Sequence, residues 1–577
     1  MKNKEIANIF DRIADALEFK GEQVFRVLAY RKAARIIEEL SEDIEVLNRE
    51  GKLREIPGIG EGIAKKIDEY LKTGKMKKYQ EAMSGIPQEL LELLNIQNLG
   101  PKTLKLANEK LGVKNLADLK RVIEDGSLSK LFRMGEKKVE NIRKGIILYE
   151  QGQKRIPIDT ALQIAEMVVG YLKKAPGIMN ISPSGSLRRM KETIGDIDIL
   201  VTGKNGQKII NYFTQMPEVT QVLASGSTKG SVIIGSGEEA IQVDVRFVEP
   251  KSYGSALQYF TGSKEHNIKL RSLAKEKGLK LSEYGIYEIR SNGKEKYIAG
   301  ESEEDVYQAI GLPWMPPEIR EDRGEIEAAL ANKLPDLIDY DEIKGDLQVH
   351  SNYSDGAATI EEIVQTAIKL GYEYIAITDH SKTAQYAGGL SEDHLKMQWD
   401  EIDKIQAKYK KIKILKGIEV DILKSGKLDF SDRVLSNLDV VVAAIHQGFK
   451  QNVTERICSA IENSYVDIIA HPTGRLINKR EGYDVDLEKV LEHALKYQKV
   501  LEINAYPNRL DLNDIWARRA KEMGIKLAIN TDAHGLSDLN WMRFGIGVAR
   551  RAWLEKDDVI NTMKWQDFKK LLIQHRK

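Results

Sequence analysis

From residue 345 onward the sequence repeats one unit seven times, a short apolar run followed by a stretch with helical periodicity. The runs are DLQVH, YIAITDH, KILKGIEVDI, DVVVAAIH, VDIIAHP, VLEINAYP and KLAINTDAH. Strands covered on both faces read as continuous apolar runs, and a helix between two strands makes them parallel neighbours. Seven units therefore predict a parallel α/β barrel, a distorted (β/α)7 closure. The runs also carry chemistry. His350 follows DLQV, His380 follows TD, Glu419 lies in GIEVD, His446 follows VVAAI, His471 precedes Pro472, and Asp532 and His534 lie in TDAH; Asp355 sits in Ser354-Asp355-Gly356. Strand ends of a parallel barrel gather at one rim, where such folds place catalysis. A lone His after a strand is usually a hydrogen-bonded structural residue; five His and three carboxylates at successive runs are not. Imidazole with carboxylate suits Mn²⁺, Zn²⁺ or Fe, and this many ligands implies two to three ions, a site suited to phosphoester hydrolysis. His394, His493 and His575 fall in helical or terminal segments and are excluded.

The first 150 residues read differently. Ile6, Ile9, Ile13 and Leu17 keep a helical period, as do Val27, Ala34 and Ile37. A glycine turn opening a helix recurs as Ile56-Pro57-Gly58-Ile59-Gly60, as Leu99-Gly100-Pro101-Lys102, and more loosely as Phe132-Arg133-Met134-Gly135-Glu136-Lys137. Such turns present free backbone N–H groups to a phosphate. Gly58, Gly60, Gly100, Lys65, Lys66, Lys102 and Lys105 are the candidate DNA-backbone contacts, reading charge and not base sequence. Residues 1–155 carry 31 Lys and Arg against 25 Asp and Glu, reversed to 57 against 62 afterwards. That tilt is too mild to argue for nucleic acid without the turns.

Between the two regions, short apolar runs at Ile197–Val201, Val232–Ile234 and Ile241–Phe247 read as strands. Gly185-Ser186-Leu187-Arg188-Arg189 precedes Gly195-Asp196-Ile197-Asp198. Asp196 and Asp198 are two apart on a strand and so share a face. Asp244, in Gln242-Val243-Asp244-Val245-Arg246, supplies a third carboxylate. Three carboxylates from such strands can hold two Mg²⁺ or Mn²⁺ ions, with Gly185 and Ser186 opening a helix toward phosphates and Arg189 adding charge.

These residues, with Tyr259-Phe260-Thr261-Gly262-Ser263 and Ala29-Tyr30-Arg31-Lys32-Ala33-Ala34, resemble DNA polymerase family X over residues 1–315. The resemblance implies a polymerase that fills short gaps in DNA repair and takes gapped or primer–template DNA and dNTPs. It places Tyr259, Phe260 and Gly262 at the nucleotide pocket, Asn267 at the incoming base and Arg271 at the template. It also raises a 5′-deoxyribose-phosphate lyase through Lys66, with Gly62 and Arg26 standing where relatives have two assisting lysines. Residues 345–577 resemble the PHP domain (polymerase and histidinol phosphatase), which in this combination implies a Mn²⁺-dependent 3′→5′ exonuclease or related end-processing. The family's first motif is commonly His-x-His; here it is Gln348-Val349-His350, leaving Gln348 as a weaker, amide ligand.

The expected organisation is multidomain, α+β and α/β. It comprises a helical DNA-binding domain (1–90), a second helix-hairpin-helix region (91–152), a nucleotidyltransferase palm (153–250), a thumb (251–315), a proline-rich linker (316–344) and the barrel (345–577). A single cysteine, Cys458, excludes an intramolecular disulfide and a thiolate zinc cluster. No apolar run is long enough to span a bilayer, and the first residues lack a signal-peptide core. A cytoplasmic monomer without membrane contact is expected. The competing reading is a transferase on RNA or a small molecule fused to a small-molecule phosphatase; the glycine turns and the Tyr259–Arg271 segment argue against it.

Overall fold

The computed structural model describes residues 2–575, except 39, 41–43, 57, 87, 97–98, 132–133, 137, 141, 144, 147–154, 237–239 and 290–293. Phe132, Arg133 and Lys137 of the third glycine turn lie outside the described residues, as do the side chains of Lys102 and His575. The chain divides into two compact units. One comprises Met1–Arg155, Thr214–Ser225 and Gly230–Asp244; the other comprises Ile156–Phe213, Gly226–Lys229 and Val245–Lys577.

The first unit is mainly helical. Helices Lys2–Lys20 and Val24–Glu38 bury Ile6, Phe10, Ile13, Ala34 and Ile37, the apolar stripe expected from the helical period. Helix Glu61–Thr73 adds Ile67 to the same core, and Pro101–Leu111 adds Leu104 and Ala107. Gly58 stands at φ +93°, and a Cβ there would meet Ile36 Cδ1 at 2.4 Å. Only glycine fits that turn. Gly60 and Gly100 cap the two helices with extended backbone; their carbonyls take Ile63 N (3.0 Å) and Thr103 N (2.9 Å), and Pro101, lacking an N–H, leaves the second turn fewer amides to offer than the first.

The middle of the chain supplies β1 (Ile156–Pro157), β2 (Ile178–Pro183), β3 (Thr193–Ile194), β4 (Asp196–Gly203), β5 (Val219–Ser225), β6 (Lys229–Ile234) and β7 (Ile241–Val248). Five of them form one sheet of order β2-β4-β7-β6-β5. A three-stranded antiparallel sheet follows, β8 (Leu279–Ser282), β9 (Gly285–Ile289) and β10 (Glu295–Ala299). Its neighbours Leu281 and Ile286 share a core with Leu270, Val306, Tyr307 and Ile326.

Residues 316–329 are mostly packed, whereas 330–333, 336 and 339–341 are exposed. Helix Glu325–Leu330 puts Ile326 and Ala329 into that core, and Arg320 is fully buried. The prolines mark irregular backbone there, not exposure.

The C-terminal strands are β11 (Gly345–Val349), β12 (Tyr374–Ile377), β13 (Lys413–Asp421), β14 (Val440–Ala444), β15 (Ile468–Ile469), β16 (Val500–Asn504) and β17 (Leu527–Asn530). They match the seven predicted runs and pair in sequence order, each parallel to the next. Backbone bonds from Asp532 N to Gln348 O (3.0 Å) and from His350 N to Ala533 O (2.9 Å) nearly close the circle. The interior is filled by Leu347, Ala376, Leu415, Val442, Val500 and Ala528, with Phe568 stacked on Tyr374 at 4.9 Å.

Candidate active sites

At the barrel rim the strands deliver their ligands to one cluster. Three overlapping groups each bring their ligand atoms within 4.8 Å of one another: His350, Asp355, His380 and His534; His380, Glu419 and His446; His350, Glu419 and Asp532. Glu419 is the hub. Its oxygens lie 3.0 Å from His380 Nδ1, 3.1 Å from His471 Nε2, 3.3 Å from His446 Nε2 and 3.4 Å from His350 Nε2. Glu419 lies inside β13, two residues before its end, and so differs from the ligands that follow their strands. Asp355 comes from the loop after His350, where Gly356 is forced: a Cβ would meet His350 O at 2.4 Å.

The electrostatics show what the cluster is built to hold. Burial opposes charge on the His446 imidazole, but Glu419 and Asp421 overcome it and push its pKa up to about 10. His534 rises to about 9 against the same penalty, through Asp355 and Asp532. Burial pushes the Glu419 carboxyl up, and His446 and His380 outweigh it, holding it well below the usual range. The site attracts positive charge, as protons or as metal ions. Among the described residues, buried Gln348 Oε1 and Nε2, His350 Nδ1 and Nε2, His380 Nδ1, Glu419 Oε2 and His471 Nδ1 make no aligned hydrogen bond, although His380 Nδ1 and Glu419 Oε2 face each other at 3.0 Å. Each unsatisfied buried group costs about 1–3 kcal/mol, so this concentration fits coordination by metal ions, Gln348 included.

Surrounding residues orient the ligands, and sequence reasoning missed them. Asp421 Oδ1 accepts from His446 Nδ1 at 2.6 Å, leaving Nε2 for a metal. Asp379 accepts from Ser351 N (2.9 Å), Ser351 Oγ (2.5 Å) and Ser354 N (3.2 Å), fixing the loop that carries Asp355. Glu502 accepts from Asn530 Nδ2 and from His471 N, both at 2.8 Å. Arg509 stands 3.8 Å from Asp532, with Nε and one terminal nitrogen buried and unmatched. His394 is exposed at the start of helix Glu392–Lys408, and His493 Nδ1 donates to Lys489 O within its own helix, so neither joins the cluster.

In the palm, Asp196 and Asp198 flank buried Ile197 on β4, as their spacing predicts. Gly185, at φ +63°, begins a short helix over them; a Cβ there would lie 2.5 Å from Asp198 Oδ2. Ser186 is half-buried in that turn. Asp244 lies on β7 and accepts from Gln242 Nε2 at 2.7 Å. Arg189 donates to Glu321 at 3.0 Å and to Thr261 O at 2.5 Å, beside Gly262. Tyr259 and Phe260 meet edge to face at 5.2 Å, and the Arg246 guanidinium covers Phe260 at 4.8 Å. Asn267 bonds Tyr259 O (2.6 Å) and Gln258 Nε2 (2.7 Å), so it braces the helix Tyr253–Thr261; Arg271 is exposed.

Arg551, on the barrel helix Met542–Arg551, donates to Arg189 O and Glu321 Oε1, both at 2.8 Å. Its other terminal nitrogen pairs with Asp514 at 2.8 Å, and Arg475 pairs with Glu192 at 2.6 Å.

In the helical unit, Lys65 is exposed and paired with Glu61 at 2.9 Å. Lys66 donates to Gly62 O at 2.8 Å, and burial lowers its pKa, with help from the Lys78 charge. Lys105 is exposed.

A palm sheet with paired aspartates and a barrel rim crowded with metal-type ligands define a two-centre enzyme of phosphoryl chemistry. Family models agree with that division. A helix-hairpin-helix domain matches residues 1–76, a SAM-like helix-hairpin-helix tandem 90–146, the DNA polymerase beta palm 155–234, the DNA polymerase beta thumb 256–321 and a PHP domain 346–506. The chain is similar to the DNA polymerase/3′-5′ exonuclease PolX of Bacillus subtilis, 39% identical over 575 residues and 99% of each chain. It is 28% identical over 343 residues to DNA polymerase lambda of Rattus norvegicus, covering 55% of this chain and 56% of that one. It is 33% identical over 219 residues to a probable phosphatase of Thermoanaerobacter sp., covering 36% of this chain and 84% of that one. The chain belongs to the family X DNA polymerases that carry a PHP domain. Among the described residues, no helix is long and apolar enough to cross a membrane.

Proposed function

We propose that this polymerase and 3′→5′ exonuclease fills short gaps in DNA at the palm and trims 3′ ends at the barrel rim, using separate ions at each. The carrying observation is the pairing, in one chain, of the Asp196/Asp198 strand under Gly185 with the Glu419-centred cluster. Asp196, Asp198 and Asp244 would hold Mg²⁺ or Mn²⁺, which would supply Lewis acidity for attack by a primer 3′-oxygen. Gly185 and Ser186 present amides to the triphosphate, Tyr259, Phe260 and Gly262 lie along its sugar, Asn267 faces the incoming base, Arg271 reaches the template, and Arg189 adds charge beside Gly262. Mn²⁺ or Zn²⁺ held at the rim would supply Lewis acidity and charge neutralisation for phosphodiester cleavage. Its ligands are Gln348, His350, Asp355, His380, Glu419, His446, His471, Asp532 and His534, while Arg509 holds the phosphate. The glycine turns at Gly58–Gly60 and Gly100 grip the DNA backbone through their free amides, with Lys65, Lys66, Lys102 and Lys105 nearby. A lowered Lys66 pKa favours the neutral amine that a 5′-deoxyribose-phosphate lyase needs, and borohydride trapping of a Lys66 adduct tests that step.

The deciding experiment uses a 5′-labelled primer on a one-nucleotide gap, in Mn²⁺, with and without dNTPs. Asp198→Ala abolishes extension and keeps shortening; His380→Ala does the reverse. An unaltered chain that does not extend the primer overturns the polymerase assignment, and one that never shortens it overturns the nuclease assignment.

A further inference from the structure

Tyr386 stands at the tip of a loop that is tied to the barrel's ligand cluster at every anchor. The loop leaves the rim at His380 and returns when Leu390 N bonds His380 O at 2.8 Å, beside a bridge between Ser381 and Leu390. Along the way Thr383 Oγ1 donates to Asp421 at 2.7 Å, the same carboxylate that holds His446. On the far side a Cβ on Gly388 would stand 3.4 Å from Ser354 O, next to Asp355. The tip itself is a tight turn, Gln385–Ala387, closed by Gly388 N to Gln385 O and Gly389 N to Ala384 O. The loop therefore spans from His446's partner to Asp355's loop, held by backbone bonds from Ser381, Ala384, Ala387, Gly388, Gly389 and Leu390.

At that tip the Tyr386 side chain is 74% exposed. It lies six residues after the ligand His380 and two before Gly388, which packs against the backbone of Ser354 beside Asp355. Single exposed aromatics are common on protein surfaces. One fixed at the mouth of a phosphodiester-cleaving site is different, because a strand whose terminal phosphate reaches the cluster carries its last base to the rim.

We propose that the Tyr386 ring is a stacking platform for the 3′-terminal nucleobase, so that the nuclease selects ends whose last nucleotide is unpaired. The inference rests on the nuclease reading given above. A paired terminal base is already stacked in the duplex and cannot lie on the ring, whereas a frayed, mismatched or single-stranded one can. Stacking on an aromatic face tolerates every base, so the platform selects for unpairing and not for sequence.

The test uses the full chain with single-stranded DNA, comparing Tyr386→Ala and Tyr386→Phe. Loss of the ring raises KM for shortening about tenfold with kcat little changed, while Tyr386→Phe behaves as the unaltered chain. The tenfold difference disappears on a strand ending in an abasic nucleotide, which has no base to stack. Independently of cleavage, a 3′-terminal 2-aminopurine on a strand with a phosphorothioate last linkage is quenched on binding to the unaltered chain and to Tyr386→Phe, but not to Tyr386→Ala. Retained primer extension by each variant shows that it is folded. The proposal falls if Tyr386→Phe is as impaired as Tyr386→Ala, if the loss persists on the abasic end, or if 2-aminopurine is not quenched by the unaltered chain. Failure of the unaltered chain to shorten any 3′ end would instead sink the nuclease reading, and this inference with it.

Discussion

Asp421 accepts the Nδ1 proton of His446 and the hydroxyl of Thr383, and so sets both the tautomer of a ligand and the foot of a rim loop. Removing its charge while keeping its shape isolates the first role. Asp421→Asn lowers Mn²⁺ affinity of the barrel by roughly 10–100-fold, read by calorimetric titration, and leaves primer extension intact. Gln348 gives the opposite case. Its buried amide has no partner, and it occupies the place where an imidazole is common in the PHP domain. Gln348→His lowers the Mn²⁺ concentration for half-maximal shortening; an unchanged requirement would remove Gln348 from the ligand set. Asp421 was within reach of the sequence. It lies two residues after Glu419 on one strand, the spacing that put Asp196 and Asp198 on a common face. Arg509 was not, because an arginine in a loop after a strand looks the same whether it faces solvent or a phosphate.

Glu303, on helix Glu303–Ala309, is gripped from two sides. Arg188 bonds both its oxygens at 2.8 Å, Arg320 does so at 2.6 and 3.1 Å, and Trp314 adds a third donor at 3.1 Å. Burial pushes this carboxyl up, but Arg320 and Arg188 outweigh that and hold it at about 2, against an ordinary 4.5. A depressed carboxyl stabilises the folded state above its unfolded value and loses that contribution as pH falls. The pair of arginines therefore contributes on the order of 3 kcal/mol above pH 4.5, lost progressively toward pH 2. Thermal melts from pH 6 to pH 2 show it as a steep acid loss that Glu303→Gln flattens, at a lower melting temperature near neutrality. The hairpin of the helical unit is sensitive for another reason. Gly58→Ala meets both a left-handed φ and the Ile36 side chain, so it lowers unit stability by at least about 1 kcal/mol and weakens gapped-DNA binding in a fluorescence titration. The sequence marks these glycines by pattern, since a turn before a helical period needs them. It does not mark the packing of residues 316–329, since proline spacing reports backbone irregularity while burial of Arg320 depends on Glu303, Tyr307 and Trp314 around it.

Across the whole molecule, the barrel is the region where sequence and structure correspond most directly. Each strand there is a local apolar run ending near a ligand, and parallel order follows from chain order. The palm is less transparent, because β7 enters the sheet between β4 and β6 and no local pattern states that order. The two centres use different ligands, so chelation and repletion separate them. An excess of Mg²⁺ over trace Mn²⁺ sustains extension and suppresses shortening, measured on one labelled primer in one tube. The buried charges around Arg551 have a consequence for hybrids between relatives. Arg551 and Asp514 belong to the barrel, Arg189 to the palm, and Glu321 to the segment between. A crossover that joins the polymerase half of one homologue to the nuclease half of another must inherit all four charges in register. Where one is replaced by a neutral residue, the chimaera carries an unmatched ion at its seam, and exchange of the halves as interchangeable cassettes fails at that point.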